Sequence, residues 1–466
     1  MLTGGNALRE LARFAARADA RDLPAPVAEK AKACLLYALA VGAGGMRAVQ
    51  PACAAVAQRA TGGGSTRFFD GASCDAAIAA FGNGTLLHAR VQDDAHPAGH
   101  VGVVVVPAGL AAAESAGAAG RDLLAALVAG YEVALRIGRD HAADSSARGF
   151  RTTPLYGVFG AAAAAGRLVG LDHEAMTHAL SLAANTAGGL REYAEAGSED
   201  FPYQAGFAAG NGIAAARLAA AGATSGPSVL DGKAGFYRGF GEGGRDYASR
   251  VAERLGERFE MMAITYKPYP ICQFHRGVVR GFCALRERAC GRGLVAARVR
   301  MHPFEADFFG VRYDGPFATF PQTFMSVPFC AGLAWSRGDV TLAGLTDFDD
   351  QDVLSHVPRI EVISDPRRDR YAPAIEAHLS DGTVLEWQDG DAADAYRLTW
   401  ETAHDMAARL GAEAGVDLAP LATAVDAVDE APDVAAIVAA MRGACVAAAK
   451  PRKDPQPLRA ARSGTP

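Results

Sequence analysis

Several features that mark large classes of protein are scarce or missing in this sequence. No apolar run among its 466 residues reaches membrane-spanning length, and the formal net charge is only −6. We therefore expect neither a membrane protein nor a protein that binds nucleic acid through bulk charge. The eight cysteines include no Cys-x-x-Cys pair and no regular spacing, which predicts reduced thiols in the cytoplasm and no cysteine-ligated cluster. The first 24 residues mix arginines with acids and lack an apolar core, so no targeting segment is predicted.

Alanine and glycine in helical patterns dominate the first part of the chain. Alanine is the strongest helix former, and Pro107 and Gly120 stand where a helix start and a helix stop are expected. Small residues four apart, as at Ala208 and Gly212, predict helices that pack closely. The alanine-rich stretches predicted as helical are 107–119, 123–137, 160–168, 173–187 and 207–221.

The pattern changes near residue 295. Residues 295–301, 359–362 and 375–379 alternate apolar with polar side chains, as half-buried strands do, and residues 380–383 read as a hairpin turn. Residues 398–446 return to helical patterning, whereas the last twenty residues are basic and rich in proline, which predicts a disordered tail. The chain is thus predicted to add a smaller α+β part to a helical one.

One loop concentrates groups that can do chemistry. Residues 88–100 hold three histidines and the adjacent pair Asp93 and Asp94, just ahead of a long apolar run. The carboxylates can orient a neighbouring group or remove a proton from it. His96 and His100 can exchange protons near neutral pH, and Pro97 with Gly99 favours a turn. A solvated, polar loop between helices is the alternative interpretation.

A second segment, residues 266–276, carries Pro268 and Pro270 on either side of a tyrosine. Two prolines stiffen the backbone and hold Tyr266 and Lys267 in place. The alternative for Lys267 is a surface charge on a stiff loop.

Together with Asn83-Gly84, Pro107, Phe159-Gly160, the 222–227 segment and the 325–329 region, these two segments resemble the MmgE/PrpD family in their order and spacing. The resemblance runs over most of the chain. It implies a mostly α fold: a large all-helical domain with an inserted smaller α+β lid domain. The predicted parts are a helical domain (1–262), the α+β lid domain (263–397), helices that return to the helical domain (398–446) and a disordered tail (447–466).

The family includes 2-methylcitrate dehydratase, cis-aconitate decarboxylase and an iminodisuccinate epimerase. Its members act on small di- and tricarboxylates without a metal or organic cofactor, by moving a proton at a carbon next to a carboxylate. The resemblance therefore implies a cofactor-independent carbon–oxygen lyase of the 2-methylcitrate dehydratase type, with a small di- or tricarboxylate substrate, and a homodimer formed through the helical domain. A decarboxylase or epimerase of the same family, and a non-catalytic relative that only binds a metabolite, remain open as alternatives.

The resemblance also assigns roles residue by residue. His100 falls on the family's catalytic histidine, and Lys267 falls on a lysine that could hold a carboxylate or act as an acid. Asp93 and Asp94 occupy the family's aspartate pair and would orient His96 or His100.

The chain departs from the family pattern at several positions. A second family histidine is Arg151, a family lysine is Phe201 and a family aspartate is Tyr37. We expect Arg151 to clamp a substrate carboxylate, because a guanidinium pairs with it bidentately and stays charged; a surface arginine is the alternative. Further predicted substrate-binding residues, each with a core or surface role as the alternative, are Tyr156, Tyr266, His275 and Arg276, and Arg191 is another candidate donor.

Overall fold

The computed structural model describes residues 6–48, 62–242, 245–388 and 395–450. Two hydrophobic cores organise these residues. The first is built by helices from the N-terminal half together with the last helices of the described chain. The second is built by residues 271–379, and Val91, Tyr193 and Phe201 of the N-terminal half join it.

The helices of the N-terminal half begin and end as follows. They are α1 (Asn6–Arg17), α2 (Ala25–Gly44), α3 (Ala76–His88), α4 (Gly102–Ala116), α5 (Gly120–Gly138), α6 (Ala142–Ala147), α7 (Thr152–Leu168), α8 (His173–Ala184), α9 (Glu192–Ala196), α10 (Phe201–Ala220), α11 (Phe236–Phe240) and α12 (Ala248–Val251), with a two-stranded hairpin of β1 (Ser65–Thr66) and β2 (Ser73–Cys74).

Small residues let these helices approach one another. A Cβ placed on Gly130 of α5 would lie 2.7 Å from the carbonyl oxygen of Gly160 on α7, a distance that no side chain tolerates. The helices therefore bury flat alanine and glycine faces rather than interlocking large side chains. Helix α7 is consequently buried along most of its length.

Helix α4 differs from the sequence prediction. It begins at Gly102, so Pro107 lies inside the helix rather than at its start. The run of four valines at 103–106 would favour a strand by intrinsic preference, but all four are buried among neighbouring helices. Tertiary packing offsets both the β-branched run and the hydrogen bond that proline cannot donate.

The second core surrounds a four-stranded sheet in the order β4-β3-β5-β6, in which β3 pairs parallel with β4 and antiparallel with β5. The strands are β3 (Leu294–Met301), β4 (Ile360–Ser364), β5 (Ala374–Leu379) and β6 (Val384–Gln388). The accompanying helices are α13 (Arg276–Ala289), α14 (Pro303–Ala306), α15 (Phe320–Met325), α16 (Val327–Arg337), α17 (Leu342–Leu345) and α18 (Gln351–His356).

The chain crosses between the two cores twice, and the crossings lie side by side. Thr265 forms isolated β-bridges with Ala95 and with Arg397. The buried Lys30 ammonium donates to the carbonyl oxygens of Ile264 at 2.7 Å and Leu398 at 2.5 Å. The first core is then completed by α19 (Trp400–Ala414), α20 (Ala419–Asp426) and α21 (Ala435–Ala448).

The predicted mostly α fold with a smaller α+β part is confirmed. The domain boundaries stay predictions. Of the tail predicted from residue 447, Ala448 still belongs to α21 and residues 451–466 lie outside the described residues. Within the described ranges, no helix combines the length and apolar character that crossing a membrane requires.

Candidate functional site

A cavity of about 260 Å³ lies where the two cores meet. This is slightly below the usual range of small-molecule sites, roughly 300–1,000 Å³. The loop before α4, the segment from α6 to the start of α7, and residues 191–193 line it from the first half of the chain, and residues from 267–274, 304–308, 324–325 and 370–371 line it from the second.

The charges that line this cavity are all of one sign. The lining cations are Arg139, Arg151, Arg191, Lys267 and Arg370, and among the described residues no aspartate or glutamate lines it. Three of the five cations have a carboxylate partner in the protein: Arg139 with Glu260, Lys267 with Asp93, and Arg370 with Glu305. Arg151 and Arg191 have none among the described ion pairs. The cavity therefore offers two uncompensated guanidinium groups to an anionic ligand.

His100 occupies the end of the loop that leads into α4. Its backbone N–H donates to Thr153 Oγ1 at 3.1 Å, and its ring Nδ1 lies 2.6 Å from the carbonyl oxygen of Asp94. A carbonyl oxygen can only accept, so Nδ1 carries the proton and Nε2 keeps its lone pair in the neutral ring. Burial, with a further contribution from the Lys267 ammonium, lowers the pKa of His100 well below its usual value. The ring is thus a neutral base that lines the cavity.

Asp94 supports His100 through its backbone, and its carboxylate points elsewhere. The two oxygens accept from the Tyr131 hydroxyl at 2.8 Å and from Gly102 N at 3.2 Å. A Cβ at Gly102 would lie 2.5 Å from Asp94 Oδ2, so only glycine allows this approach. Burial raises the pKa of Asp94 to about 6, and the side chain does not line the cavity.

A buried chain of four side chains runs behind the cavity wall. Lys267 Nζ lies 3.3 Å from Asp93 Oδ2, the same oxygen lies 3.0 Å from His88 Nδ1, and His88 Nε2 contacts the Arg151 guanidinium. Burial lowers the pKa of His88 to about 4, so this ring is neutral. Its two partners, His88 and the Lys267 ammonium, oppose the effect of burial on the Asp93 carboxyl and hold its pKa well below the usual range. Asp93 is therefore an ionised residue that connects both ends of the chain.

Two further residues fix Lys267. The Tyr37 hydroxyl lies 2.8 Å from Lys267 O and 3.1 Å from Lys267 N, and it also lies 2.7 Å from Gln92 O. The ammonium donates to the carbonyl oxygen of Val91, whose φ of +56° is a strained conformation for a β-branched residue. This backbone conformation directs the Val91 carbonyl toward the Lys267 ammonium. Tyr37 thus ties the loop of Lys267 to the loop of Asp93.

Arg151 and Arg191 are each held by a backbone carbonyl oxygen and by a polar side chain. Arg151 Nη1 donates to Phe201 O at 2.5 Å, and its guanidinium carbon lies 4.9 Å from the Tyr193 ring centre. Arg191 donates to Phe150 O at 2.9 Å and to Ser146 Oγ at 2.8 Å. Burial lowers the pKa of Arg191, and the nearby Arg151 adds to this effect. An anion between the two guanidinium groups would relieve their mutual repulsion.

Besides Asp93 and Asp94, five further predicted site residues do not line the cavity. His96 Nδ1 accepts from Ala98 N at 3.1 Å and so stabilises the turn before His100. The Tyr156 hydroxyl is hydrogen-bonded to Ser145 and His141 within an aromatic cluster. The Tyr266 ring packs against the Tyr37 ring. The remaining two stand at the start of α13: Arg276 donates to Thr265 Oγ1 and Tyr266 O, and His275 is fully buried.

The sequence interpretation gave no role to several residues that the structure brings to the site. His88 belongs to the histidine-rich loop and precedes Asp93 by only five residues, and this closeness in the sequence was a signal that the two could meet. Tyr193 follows Arg191 closely in the sequence, but nothing in the local pattern points to it. Arg139, Arg370 and Tyr371 arrive from distant segments and carry no motif.

Among the described residues, no group of three or more histidine, cysteine and acidic side chains is arranged to hold a metal ion. The fold and the site together define a helix-rich protein with a cationic cavity and a neutral histidine base between two cores. The chain matches the MmgE/PrpD N-terminal domain over residues 9–247, and it belongs to the MmgE/PrpD family.

The chain is also similar to curated relatives. It is 31% identical over 280 residues to the cis-aconitate decarboxylase-like protein oryM of Aspergillus oryzae, covering 56% of this chain and 58% of that protein. It is 29% identical over 294 residues to the cis-aconitate decarboxylase of Aspergillus terreus, covering 60% of each. The human cis-aconitate decarboxylase is 37% identical over 164 residues, 34% of each chain. The chain thus spans at most 60% of the length of these relatives.

Proposed function

We propose that this protein is a cofactor-independent lyase that removes a proton next to a carboxylate of a small dicarboxylate or tricarboxylate. The observation that carries the proposal is the cavity itself, in which a neutral His100 faces cations and, within the described residues, no lining carboxylate. A carbon next to a carboxylate is a weak acid, so its deprotonation needs a positioned base and cations that stabilise the developing enolate.

His100 is the base in this proposal. Its Nδ1–H is held by the carbonyl oxygen of Asp94, so Nε2 takes the proton from carbon. The electron pair of the broken C–H bond moves toward the substrate carboxylate, where the cationic wall stabilises it. Because the pKa of His100 is lowered, the ring stays in its base form to pH values below the usual histidine range.

Lys267 is the acid. In a dehydration the C–H electrons form the C=C bond, the C–O bond breaks, and the leaving hydroxide takes a proton from the Lys267 ammonium to depart as water. Burial lowers the pKa of Lys267, and Asp93 opposes that effect. A lowered pKa makes the ammonium a better proton donor. After the reaction His100 releases its proton to solvent and Lys267 takes one up from solvent, which restores both groups.

Arg151 and Arg191 bind the substrate carboxylates. Arg151 already uses one nitrogen on Phe201 O and another on His88, and Arg191 uses two on Phe150 O and Ser146 Oγ. Each guanidinium has five N–H donors, so both retain donors for a ligand. Two uncompensated cations match the two charges of a dicarboxylate.

Decarboxylation is the second candidate, because the relatives reported above are named cis-aconitate decarboxylase or cis-aconitate decarboxylase-like protein. There a C–C bond breaks, carbon dioxide leaves, and the resulting carbanion takes a proton from Lys267. The neutral state of His100 favours proton abstraction, and therefore dehydration, as the first reaction to test.

The test is a panel of citrate-like, aconitate-like and aminodicarboxylate acids, each with and without a carbon substituent, followed by NMR in deuterated water. A dehydratase exchanges the proton next to the carboxylate and forms an alkene with release of water, whereas a decarboxylase releases carbon dioxide. Absence of exchange and turnover across the panel would refute the proposed enzymatic activity and favour a protein that only binds a metabolite.

We also propose a cytoplasmic homodimer. The seven cysteines within the described ranges are free thiols, which suits a reducing compartment. On α10, Phe207 is 58% exposed and Leu218 is 52% exposed, and large apolar side chains on one helix favour contact with a second copy. Light scattering at micromolar concentration tests the dimer, and a monomer would refute it.

A further inference from the structure

The cavity has a second wall that the carboxylate chemistry leaves unused. Phe304 at α14, Phe308 two residues after that helix, and Tyr371 before β5 are all partly exposed and all line the cavity. All three pack against the second core, whereas His100 lies in a loop of the first part of the chain. We call the three lining cations of the first part, Arg139, Arg151 and Arg191, the cationic half of the cavity. The three rings of the second part, which also contributes Lys267 and Arg370, are its aromatic half.

The Phe274 ring, which also lines the cavity, holds the aromatic half in place. The buried Phe274 ring lies 5.8 Å from Phe304, 5.0 Å from Phe308 and 5.9 Å from Tyr371, measured between ring centres. Such tilted and edge-on pairs are favourable packing arrangements. The three rings thus form a stable surface around one buried centre.

Two cations cap the edges of this surface. The Arg370 guanidinium carbon lies 4.0 Å from the Phe304 ring centre, and the Arg191 guanidinium carbon lies 4.8 Å from that of Phe308. Arg191 therefore stands at the boundary, with one face against an aromatic ring and its nitrogens directed to polar partners. A ligand carboxylate at Arg191 would bring its neighbouring carbon atoms close to the aromatic rings.

A compact polyacid bound to the cationic half would leave the three partly exposed rings against water. Removing apolar surface from water lowers the free energy of the complex. We propose that the aromatic half, formed by Phe304, Phe308 and Tyr371, binds an apolar substituent of the substrate. The substrate class is then a dicarboxylic acid that carries a hydrophobic group of several carbon atoms. This inference rests on the proposed function, because it assumes that the cationic half binds the carboxylates.

The experiment measures binding by calorimetry and needs no turnover. The probes are succinate, 2-methylsuccinate and 2-benzylsuccinate, which share two carboxylates and differ in their apolar substituent. We expect the affinity to rise in this order and 2-benzylsuccinate to bind at least tenfold more tightly than succinate. Phe304→Ala should reduce this ratio to threefold or less.

The matched control is Phe309→Ala. Phe309 is 41% exposed and does not line the cavity, so the affinity ratio should equal that of the wild type. Melting temperatures identify a variant that fails to fold, and Phe304→Leu then replaces Phe304→Ala, with a smaller expected loss because leucine keeps part of the apolar surface.

The outcomes separate this inference from the proposed function. Equal affinities of the wild type for succinate and 2-benzylsuccinate would overturn the apolar subsite and leave the carboxylate site intact. An unchanged ratio in a folded Phe304 variant would also overturn it. If none of the three acids binds at millimolar concentration, the carboxylate site and the subsite are both refuted.

Discussion

Asp93→Asn tests the buried chain behind the cavity wall. The substitution keeps the shape of the side chain and removes its charge, which leaves the Lys267 ammonium buried at 0% side-chain exposure without its carboxylate partner. Removing one partner of a buried pair costs about 3–5 kcal/mol. We expect a loss of stability of this order, with turnover lost as well.

The pH dependence follows from the direction of the Lys267 pKa. Burial already lowers this pKa in the folded protein, and removal of Asp93 lowers it further. The unfolded chain then binds more protons than the folded one between the folded pKa and the unfolded value of about 10.4, so stability rises with pH in that window. The deficit of Asp93→Asn relative to the wild type should therefore shrink as the pH is raised from 7 toward 9.5.

Urea denaturation at several pH values measures this effect. The control is Asp381→Asn, which removes the charge of an exposed carboxylate paired with Arg292; its cost should be small beside that of Asp93→Asn, because solvent screens an exposed ion pair. Equal stability of Asp93→Asn and Asp381→Asn, or a deficit that grows with pH, would refute the charged pair of Lys267 and Asp93.

Three further predictions concern the cavity. Arg191→Leu should raise the KM for the substrate more than tenfold and change kcat less, because Arg191 contacts only protein oxygens and an aromatic ring and has no described carboxylate partner; an unchanged KM in steady-state assays would contradict this. Arg151→Lys should weaken substrate binding more than tenfold, since a lysine cannot reach Phe201 O, His88 and a ligand together, and Michaelis constants equal to those of the wild type would indicate a structural arginine. The acidic limb of kcat/KM should lie below pH 6.5, because the lowered pKa keeps His100 neutral as the pH falls; a limb above pH 7 would exclude His100 as the base.

The parts of the site that lie close together in the sequence could be predicted. The loop 88–100 and the proline-framed Lys267 both carry a recognisable pattern, and His100, Lys267 and Arg151 line one cavity. Turn residues and prolines constrain the backbone of both segments independently of the rest of the chain. The roles of their side chains, and the choice of Arg151, rested on the family resemblance.

Contacts between distant segments could not be predicted. Arg151 meets His88 across 63 residues, and Lys267 meets Asp93 across 174, distances that no periodicity encodes. The same limit explains helix α4, where intrinsic preference predicted a helix start at Pro107 and burial of four valines set the start at Gly102. His96 shows the opposite case: its residue type suits catalysis, but its ring serves the turn at Ala98.

The most direct test of the proposed reaction compares His100→Ala with His96→Ala. On the acid that the NMR panel identifies, the rate of solvent deuterium exchange next to the carboxylate is measured for both variants and the wild type. Both histidines belong to the same loop, but only His100 lines the cavity. We expect His100→Ala to lower the exchange rate by roughly 10²–10⁴ with the melting temperature nearly unchanged, and His96→Ala to exchange within a few-fold of the wild type. Undiminished exchange in His100→Ala would contradict the account.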